Sequence, residues 1–288
     1  MSIQVRNLSH IYNQGMPNEL AALDDVSFEI FDNEIAAIIG HTGSGKSTLI
    51  QHLNGLLKPD SGEILIDGTD ITKPKVVMKD IRQKVGLVFQ YPESQLFEET
   101  VGKDVAFGPK NLGLSEEEID IRVRDAIRLV GMDYDEIKDR SPFDLSGGQK
   151  RKAAIAGVIA MKPQVLILDE PTAGLDPGAH QEIIDMILEI HRKENNIIIF
   201  VTHDMSDVVA ISDKVLVMDR GKLVMSGTPQ EVFEQRMHLA AVGLDVPPVM
   251  EFMYRLRDKG ARIKNTVFSL DEAEEEIINF LKLNKRSE

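Results

Sequence analysis

One short stretch limits what this chain can fold into: Gly40-His41-Thr42-Gly43-Ser44-Gly45-Lys46-Ser47-Thr48. It lies between an aliphatic segment, Ile35–Ile39, and an apolar-periodic segment running from about Ser47 to Leu56. The spacing matches the phosphate-loop pattern of a glycine, four residues, then Gly-Lys-Ser/Thr between a strand and a helix. Glycines let backbone N–H groups turn inward around phosphate oxygens at a helix N-terminus. Lys46 supplies charge to the outer phosphates, and Ser47 offers a hydroxyl to Mg²⁺. A strand feeding a helix through such a loop predicts an α/β sheet protein whose ligand sits at the carboxyl ends of the strands.

The rest of the chain fits that frame. Ile3–Leu8, Val26–Ile30, Ile64–Ile66 and Val85–Phe89 read as strands. Val165–Leu168 and Ile197–Val201 are nearly pure aliphatic, as parallel strands buried on both faces are. Pro177–Lys193, between them, predicts a helix. From about Leu96 to Met161 the pattern is helical. Ser115 followed by Glu118 predicts a capping box ahead of Ile119, Val123, Ile127 and Val130. Lys214–Asp219 and Lys222–Ser226 predict a hairpin around Arg220-Gly221. After Pro229 two or three helices are expected, one opened by a capping box of Ser269 and Glu272. There Val249, Phe252, Met253, Leu256 and Phe280 are spaced for helix faces, which serve either packing on the core or a dimer contact.

Two further motifs carry chemistry. Val165-Leu166-Ile167-Leu168 ends in Asp169-Glu170, two carboxylates at the ligand end of a buried strand. Asp169 can hold Mg²⁺, and Glu170 can orient and deprotonate an attacking water. Leu145-Ser146-Gly147-Gly148-Gln149 places a capping serine and open N–H groups at the start of a helix running to Met161. A chain with one phosphate loop gains a use for a second phosphate-binding helix if that helix serves a neighbouring subunit across a dimer interface.

Taken in order, these motifs resemble those of the ABC ATPases, whose signature is the sequence at Leu145–Gln149. The resemblance spans residues 1 to about 230. It implies an α/β fold: a P-loop NTPase ABC ATPase core (1–95 and 162–228), a helical signature subdomain inserted at 96–161, and a small helical C-terminal extension (229–288). It also implies roles. Tyr12 stands where the family stacks an aromatic ring on adenine. Gln90 stands where it places a glutamine touching Mg²⁺ and the attacking water. Gly174-Leu175-Asp176 resembles the loop through which two subunits communicate, and His203 resembles the switch histidine at the γ-phosphate.

A narrower likeness follows. Gln90-Tyr91-Pro92-Glu93-Ser94-Gln95-Leu96-Phe97-Glu98-Glu99-Thr100-Val101, then Ala106-Phe107-Gly108-Pro109 and Asn111-Leu112-Gly113-Leu114, is similar to the ATPases of energy-coupling-factor importers, which take up vitamins or metal ions. The pattern is most like the second of two paralogous ATPases that pair as a heterodimer. That likeness implies ATP and Mg²⁺ as cofactors. It also implies a paralogous ATPase subunit, a transmembrane scaffold and a substrate-capture membrane subunit as partners. The expected place is the cytoplasmic face of the membrane. A groove at Glu93, Phe97, Glu98 and Glu99 would receive arginines of the scaffold.

Composition closes other routes. The chain has 288 residues and a formal net charge of −14, which disfavours a nucleic-acid partner. It has no cysteine, so it carries neither a disulfide framework nor a thiolate metal site. No apolar run approaches the roughly 18 to 20 residues that span a bilayer. A nucleotide-gated module that does not hydrolyse is disfavoured by Glu170 and His203. A chromosome or DNA-repair ATPase is disfavoured by the close spacing of the motifs, and a small GTPase by the lack of Asn-Lys-x-Asp.

Overall fold

The structure is a computed structural model that describes residues 1–261, 263–264 and 267–284. In chain order the elements are β1 (Ile3–Tyr12), β2 (Leu20–Ile30), β3 (Ile35–Ile39), α1 (Lys46–Leu53), β4 (Ser61–Ile66), β5 (Thr69–Asp70), α2 (Met78–Lys84) and β6 (Val85–Val88). Helices α3 (Val101–Leu112), α4 (Glu116–Leu129), α5 (Tyr134–Ile137) and α6 (Gly147–Ile159) follow. Then come β7 (Val165–Asp169), α7 (Pro177–Glu194), β8 (Ile197–Val201), α8 (Met205–Ile211), β9 (Lys214–Asp219) and β10 (Lys222–Gly227). The chain closes with α9 (Pro229–Phe233), α10 (Arg236–Ala241), α11 (Pro248–Asp258) and α12 (Leu270–Asn284).

Six strands make one sheet in the order β10-β9-β3-β8-β7-β6, and four make a second, β2-β1-β4-β5. In the larger sheet β9, β3, β8, β7 and β6 run parallel, and only β10 is antiparallel. Every residue of β3, β6, β7 and β8 is buried. Alternation along each strand assigns the faces. Ala36, Ile38, Val165 and Ile167 join the core formed with α1 and the antiparallel sheet. Ile35, Ala37, Ile39, Leu166 and Leu168 join the core formed with α3, α4, α6, α7 and α8. The parallel sheet is thus the middle layer, and the carboxyl ends of β3, β6, β7 and β8 open on one edge.

Local chemistry explains where elements stop. Helix α1 ends at Leu53, earlier than its apolar pattern suggests, because Gly55 turns the chain in the left-handed region at φ 69°. Strands β1 and β2 run beyond their apolar cores because they pair with each other as far as Tyr12 opposite Leu20. Ser115 accepts from the Glu118 amide, yet the Glu118 carboxylate pairs with Arg122 at 2.7 Å, so only half of the expected box forms. At α12 both halves form: Ser269 Oγ accepts from the Glu272 amide at 3.1 Å, and Glu272 accepts from the Ser269 amide at 3.4 Å.

The last helices divide their apolar residues. Met250 and Tyr254 of α11 enter the main core. Met253 is fully buried in a small cluster against which Val249, Leu256 and Phe280 pack. Phe252 is exposed, as is Leu281 of α12.

Gly86 in β6 shows how tightly α6 is laid on the sheet. A Cβ there would stand 2.7 Å from Val158 Cγ1 and 3.1 Å from Pro163 Cγ. Overfilling a packed core costs about 1 to 3 kcal/mol. Gly86→Ala is expected to lose stability in that range, read as a lowered urea midpoint with the slope unchanged.

Candidate functional site

The phosphate loop turns on its glycines. Gly40 lies at φ 154° and Gly45 at φ 104°. A Cβ on Gly40 would collide with the Met218 carbonyl, and one on Gly45 would lie 2.5 Å from the Ala22 carbonyl. Conformation and space therefore both demand glycine at these two positions. Lys46 Nζ donates to the carbonyls of Gly40 at 2.7 Å and His41 at 3.0 Å, so its charge lies over the loop. Burial lowers the Lys46 pKa, against the pull of Glu170 and Asp169.

His41 places its two ring nitrogens at 2.8 Å from the Thr42 carbonyl and 2.7 Å from Asp219 Oδ1. Both partners only accept, so the arrangement favours the imidazolium, and the His41 pKa is raised by the Thr42 carbonyl and by Asp219. Ser44 is fully buried, Gly43 turns in the left-handed region, and Thr48 Oγ1 lies 3.5 Å from the Tyr12 hydroxyl.

The carboxylates arrive from the next strands. Asp169 closes β7, with Oδ2 3.5 Å from the Ser47 hydroxyl. Burial raises its pKa, Glu170 adds to that, and Lys46 and Ser47 oppose it. Glu170 stands one residue beyond the strand at φ 48°, a left-handed conformation uncommon outside glycine. Its amide donates to the Val201 carbonyl at 2.9 Å, which fixes the turn. Its carboxylate accepts from Gln90 Nε2 at 2.7 Å and lies 3.6 Å from His203 Nδ1. Gln90, Glu170 and His203 follow three adjacent parallel strands, β6, β7 and β8, so sheet order alone brings them together. A carboxylate oriented by an amide and flanked by an imidazole can hold a water and take its proton.

The other motifs lie apart from this cluster. Ser146 and Gln149 cap α6 reciprocally, at 3.3 and 3.1 Å, and Leu145 is buried beneath them. Among the described residues, no side chain of Leu145–Gln149 hydrogen-bonds the phosphate loop. A Cβ on Gly147 would meet nothing within 4 Å, and one on Gly148 only Ala179 at 3.9 Å. Gly174 turns at φ 73°, Leu175 packs on the core, and Asp176 caps α7 by accepting from the amides of Gly178 and Ala179 at 3.0 and 3.1 Å.

Glu93, expected in the groove, has a partner within the chain. Its carboxylate is engaged within the chain by Arg151, which donates from Nε at 3.1 Å and from Nη2 at 2.8 Å. Arg151 also donates from Nη1 to the carbonyls of Pro171 at 3.0 Å and Ala173 at 2.8 Å. One guanidinium on the signature helix therefore ties together the segment after Gln90 and the loop after Glu170. Sequence reading missed Arg151. Its one signal is a basic residue early in a helix, where the macrodipole disfavours cations unless an acid answers them. Glu99 is paired with Lys103, and the Glu98 amide donates to Asp104, as does that of Phe97.

Of the four groove residues expected, Phe97 lines a cavity of about 790 Å³ together with Leu56, Phe89, Asp104, Phe107 and Met161. Phe97 and Phe107 meet edge to face at 5.0 Å.

Comparison with known proteins supplies the context. The family model described as "ABC transporter" matches residues 23–173. The energy-coupling factor transporter ATP-binding protein EcfA2 of Clostridium tetani is 56% identical over 96% of this chain and 96% of its own length. That of Clostridioides difficile is 56% identical over 98% of each chain. Among solved structures, cbiO1 from Clostridium perfringens, part of the ABC transporter complex cbiONQ, is 41% identical with a TM-score of 0.74, covering 88% of this chain and 98% of its own. The dimeric ATP-binding cassette MJ0796 bound to ADP and Pi is 25% identical with a TM-score of 0.69, covering 79% and 98%.

The Arg151–Glu93 pair makes a stability prediction with a defined sign. Burial pushes the Glu93 carboxyl up, but the Arg151 hydrogen bonds pull it net below its ordinary value. The pair's contribution is therefore complete above the ordinary carboxylate pKa and is lost as pH falls through the lowered one. Arg151→Ala is expected to cost about 3 to 5 kcal/mol at neutral pH, since it strands a partly buried carboxylate. The deficit should narrow toward acid pH, as read from urea melts at a series of pH values.

Proposed function

This chain belongs to the ABC transporter family, in the branch of energy-coupling factor ATP-binding proteins, and we propose on that premise that it couples ATP hydrolysis to the uptake of vitamins or related micronutrients through membrane partners. The observation that carries the reading is the meeting of Gln90, Glu170 and His203 at the ends of adjacent strands, beside the phosphate loop.

Phosphoryl transfer to water needs charge neutralisation and an in-line nucleophile more than covalent chemistry. The backbone of Gly40–Thr48 cradles the phosphates, and Lys46 neutralises the outer ones. Glu170 accepts the proton of the attacking water, Gln90 orients it, and His203 holds the γ-phosphate end. Tyr12 stacks on the adenine. Ser47 and Asp169 offer hard oxygen donors 3.5 Å apart, which suits Mg²⁺, with Gln90 as a third ligand. A bound Mg²⁺ supplies charge for the phosphate oxygens.

Each site is completed by a paralogous subunit. Among the described residues Gly147 has no neighbour that demands glycine, which supports a place for another molecule's phosphate over the start of α6. Leu145–Gln149 then serves the partner's ATP, and Gly174–Asp176 lies on the path between the two sites. The helical segment 96–161 carries the signature, and segment 229–288 extends the core formed by 1–95 and 162–228.

Among the described residues no helix is long and apolar enough to cross a membrane. The likeness to energy-coupling factor ATP-binding proteins supports a peripheral place at the cytoplasmic face, with a transmembrane scaffold docking on the groove that contains Phe97, and a separate membrane subunit capturing the substrate. Glu93 and Glu98, half-buried, and Glu99, exposed beside Lys103, lie at that loop, where carboxylates suit arginine.

Two experiments test this assignment. Removing a positioned general base costs about 10²- to 10⁴-fold in rate. Glu170→Gln in the assembled complex is expected to lose turnover by that factor while ATP binding persists and closed dimers accumulate. Near-normal turnover rejects Glu170 as the base. Gly147→Asp, in a mixed dimer with one altered subunit, is expected to silence the site formed with the partner's phosphate loop and spare the site formed by its own. Loss confined to the altered subunit's own phosphate loop excludes the shared arrangement.

A further inference from the structure

Strand β1, which carries Tyr12, is irregular just before it. Its register with β2 shifts between Leu8 and His10 and again between His10 and Ile11. On its other edge, pairing with β4 ends at Ser9 opposite Ser61. Beyond that point a side chain replaces the missing strand. Asp60 Oδ2 accepts from the Ile11 amide at 2.7 Å, and the Asp60 amide donates to the Ser9 carbonyl at 3.0 Å. The end of the strand thus hangs on Asp60.

His10 and Tyr12 lie two residues apart, and despite the register shift between them their rings come together on one side. Their rings meet edge to face with centroids 4.6 Å apart and planes at 84°. His52 from α1 stands against His10, at 4.7 Å and 66°. His52 is fully buried, and burial lowers its pKa, so it stays neutral. Its Nδ1 lies 2.7 Å from the carbonyl of Thr48, one turn earlier in α1, the helix that the phosphate loop feeds. A carbonyl only accepts, so Nδ1 donates to it, and the Lys58 backbone also lies against the ring. On the outer side His10 Nδ1 comes within 3.1 Å of Asp60 Oδ2. That approach is close but off the line of a hydrogen bond, and among the described residues both nitrogens of His10 are buried without hydrogen-bond partners. Apolar side chains would fill the same volume without stranding polar atoms. Packing alone therefore does not account for an imidazole at position 10.

We propose that His10, held between Asp60 and His52, is a positioning residue that fixes the Tyr12 ring relative to the phosphate loop and so sets how much of the nucleotide affinity comes from the base. The chain of contact is unbroken: Tyr12 on His10, His10 on His52, and His52 on the Thr48 carbonyl. Base and phosphates are then read by one rigid unit, and the brace acts through Tyr12 without touching the nucleotide. The inference rests on the reading of Tyr12 as the residue that stacks on adenine.

The test is titration of the full-length chain with ATP and, separately, with inorganic tripolyphosphate, which has no base. The variants are His10→Leu, Asp60→Asn, Tyr12→Ala and the double variant His10→Leu/Tyr12→Ala. An edge-to-face aromatic contact is worth about twofold to tenfold in affinity. His10→Leu and Asp60→Asn are each expected to weaken ATP by about that factor, leave tripolyphosphate unchanged, and raise the KM for ATP in the assembled complex. The double variant should bind ATP no more weakly than Tyr12→Ala, because the brace has nothing left to position.

Equal losses for ATP and tripolyphosphate, no loss in either brace variant, or additive losses in the double variant each overturn the proposal. Tyr12→Ala separates the two levels. If it leaves ATP affinity unchanged, the stacking assignment itself fails. If it weakens ATP while His10→Leu does not, only the brace fails.

Discussion

The inner strands of the six-stranded sheet have no solvent side, and most of the molecule follows from that. A strand covered on both faces can carry no charged group along its length, because a buried unpaired charge is untenable. Polar chemistry is pushed to the ends. Four strands deliver it to one edge: the phosphate loop after β3, Gln90 after β6, Asp169 and Glu170 at the end of β7, and His203 after β8. The parallel order β3-β8-β7-β6 then decides which groups are neighbours, as where Gln90 after β6 bonds Glu170 after β7.

Loops beyond a sheet edge need their own restraint, and Arg151 supplies it. It is 2% exposed and rises from a helix on the far side of the cluster. Its planar fork takes a two-point contact with Glu93, and its remaining nitrogen takes two carbonyls of the loop after Glu170. A lysine has a single nitrogen and cannot make this set of contacts. The segment after Gln90, the start of α6 and the loop leading to α7 are therefore tied to one another.

What the sequence disclosed follows the range of each interaction. The phosphate loop and the strands β3, β7 and β8 were plain because burial on both faces leaves an unbroken aliphatic run. The cap of α6 was plain because Ser146 and Gln149 lie within one turn. The ends of β1 and β2 were hidden, because register shifts break the alternation that marks a strand. Arg151 and Glu93 were hidden because they are 58 residues apart, and nothing local in a surface-like glutamate says that its partner lies inside the same chain. The contact of His10 with His52 was hidden for the same reason: each reads alone as an ordinary packing histidine.

Gly147 has a consequence for regulation. Among the described residues, none fills the space above it. If the missing wall of each nucleotide pocket arrives with a second subunit, an unpaired molecule is a store rather than an engine. Specific activity then rises with subunit concentration and saturates once pairing is complete. Copies made in excess of their counterpart would hold nucleotide without consuming it, so a cell could tolerate unequal synthesis of the two halves without an energy leak.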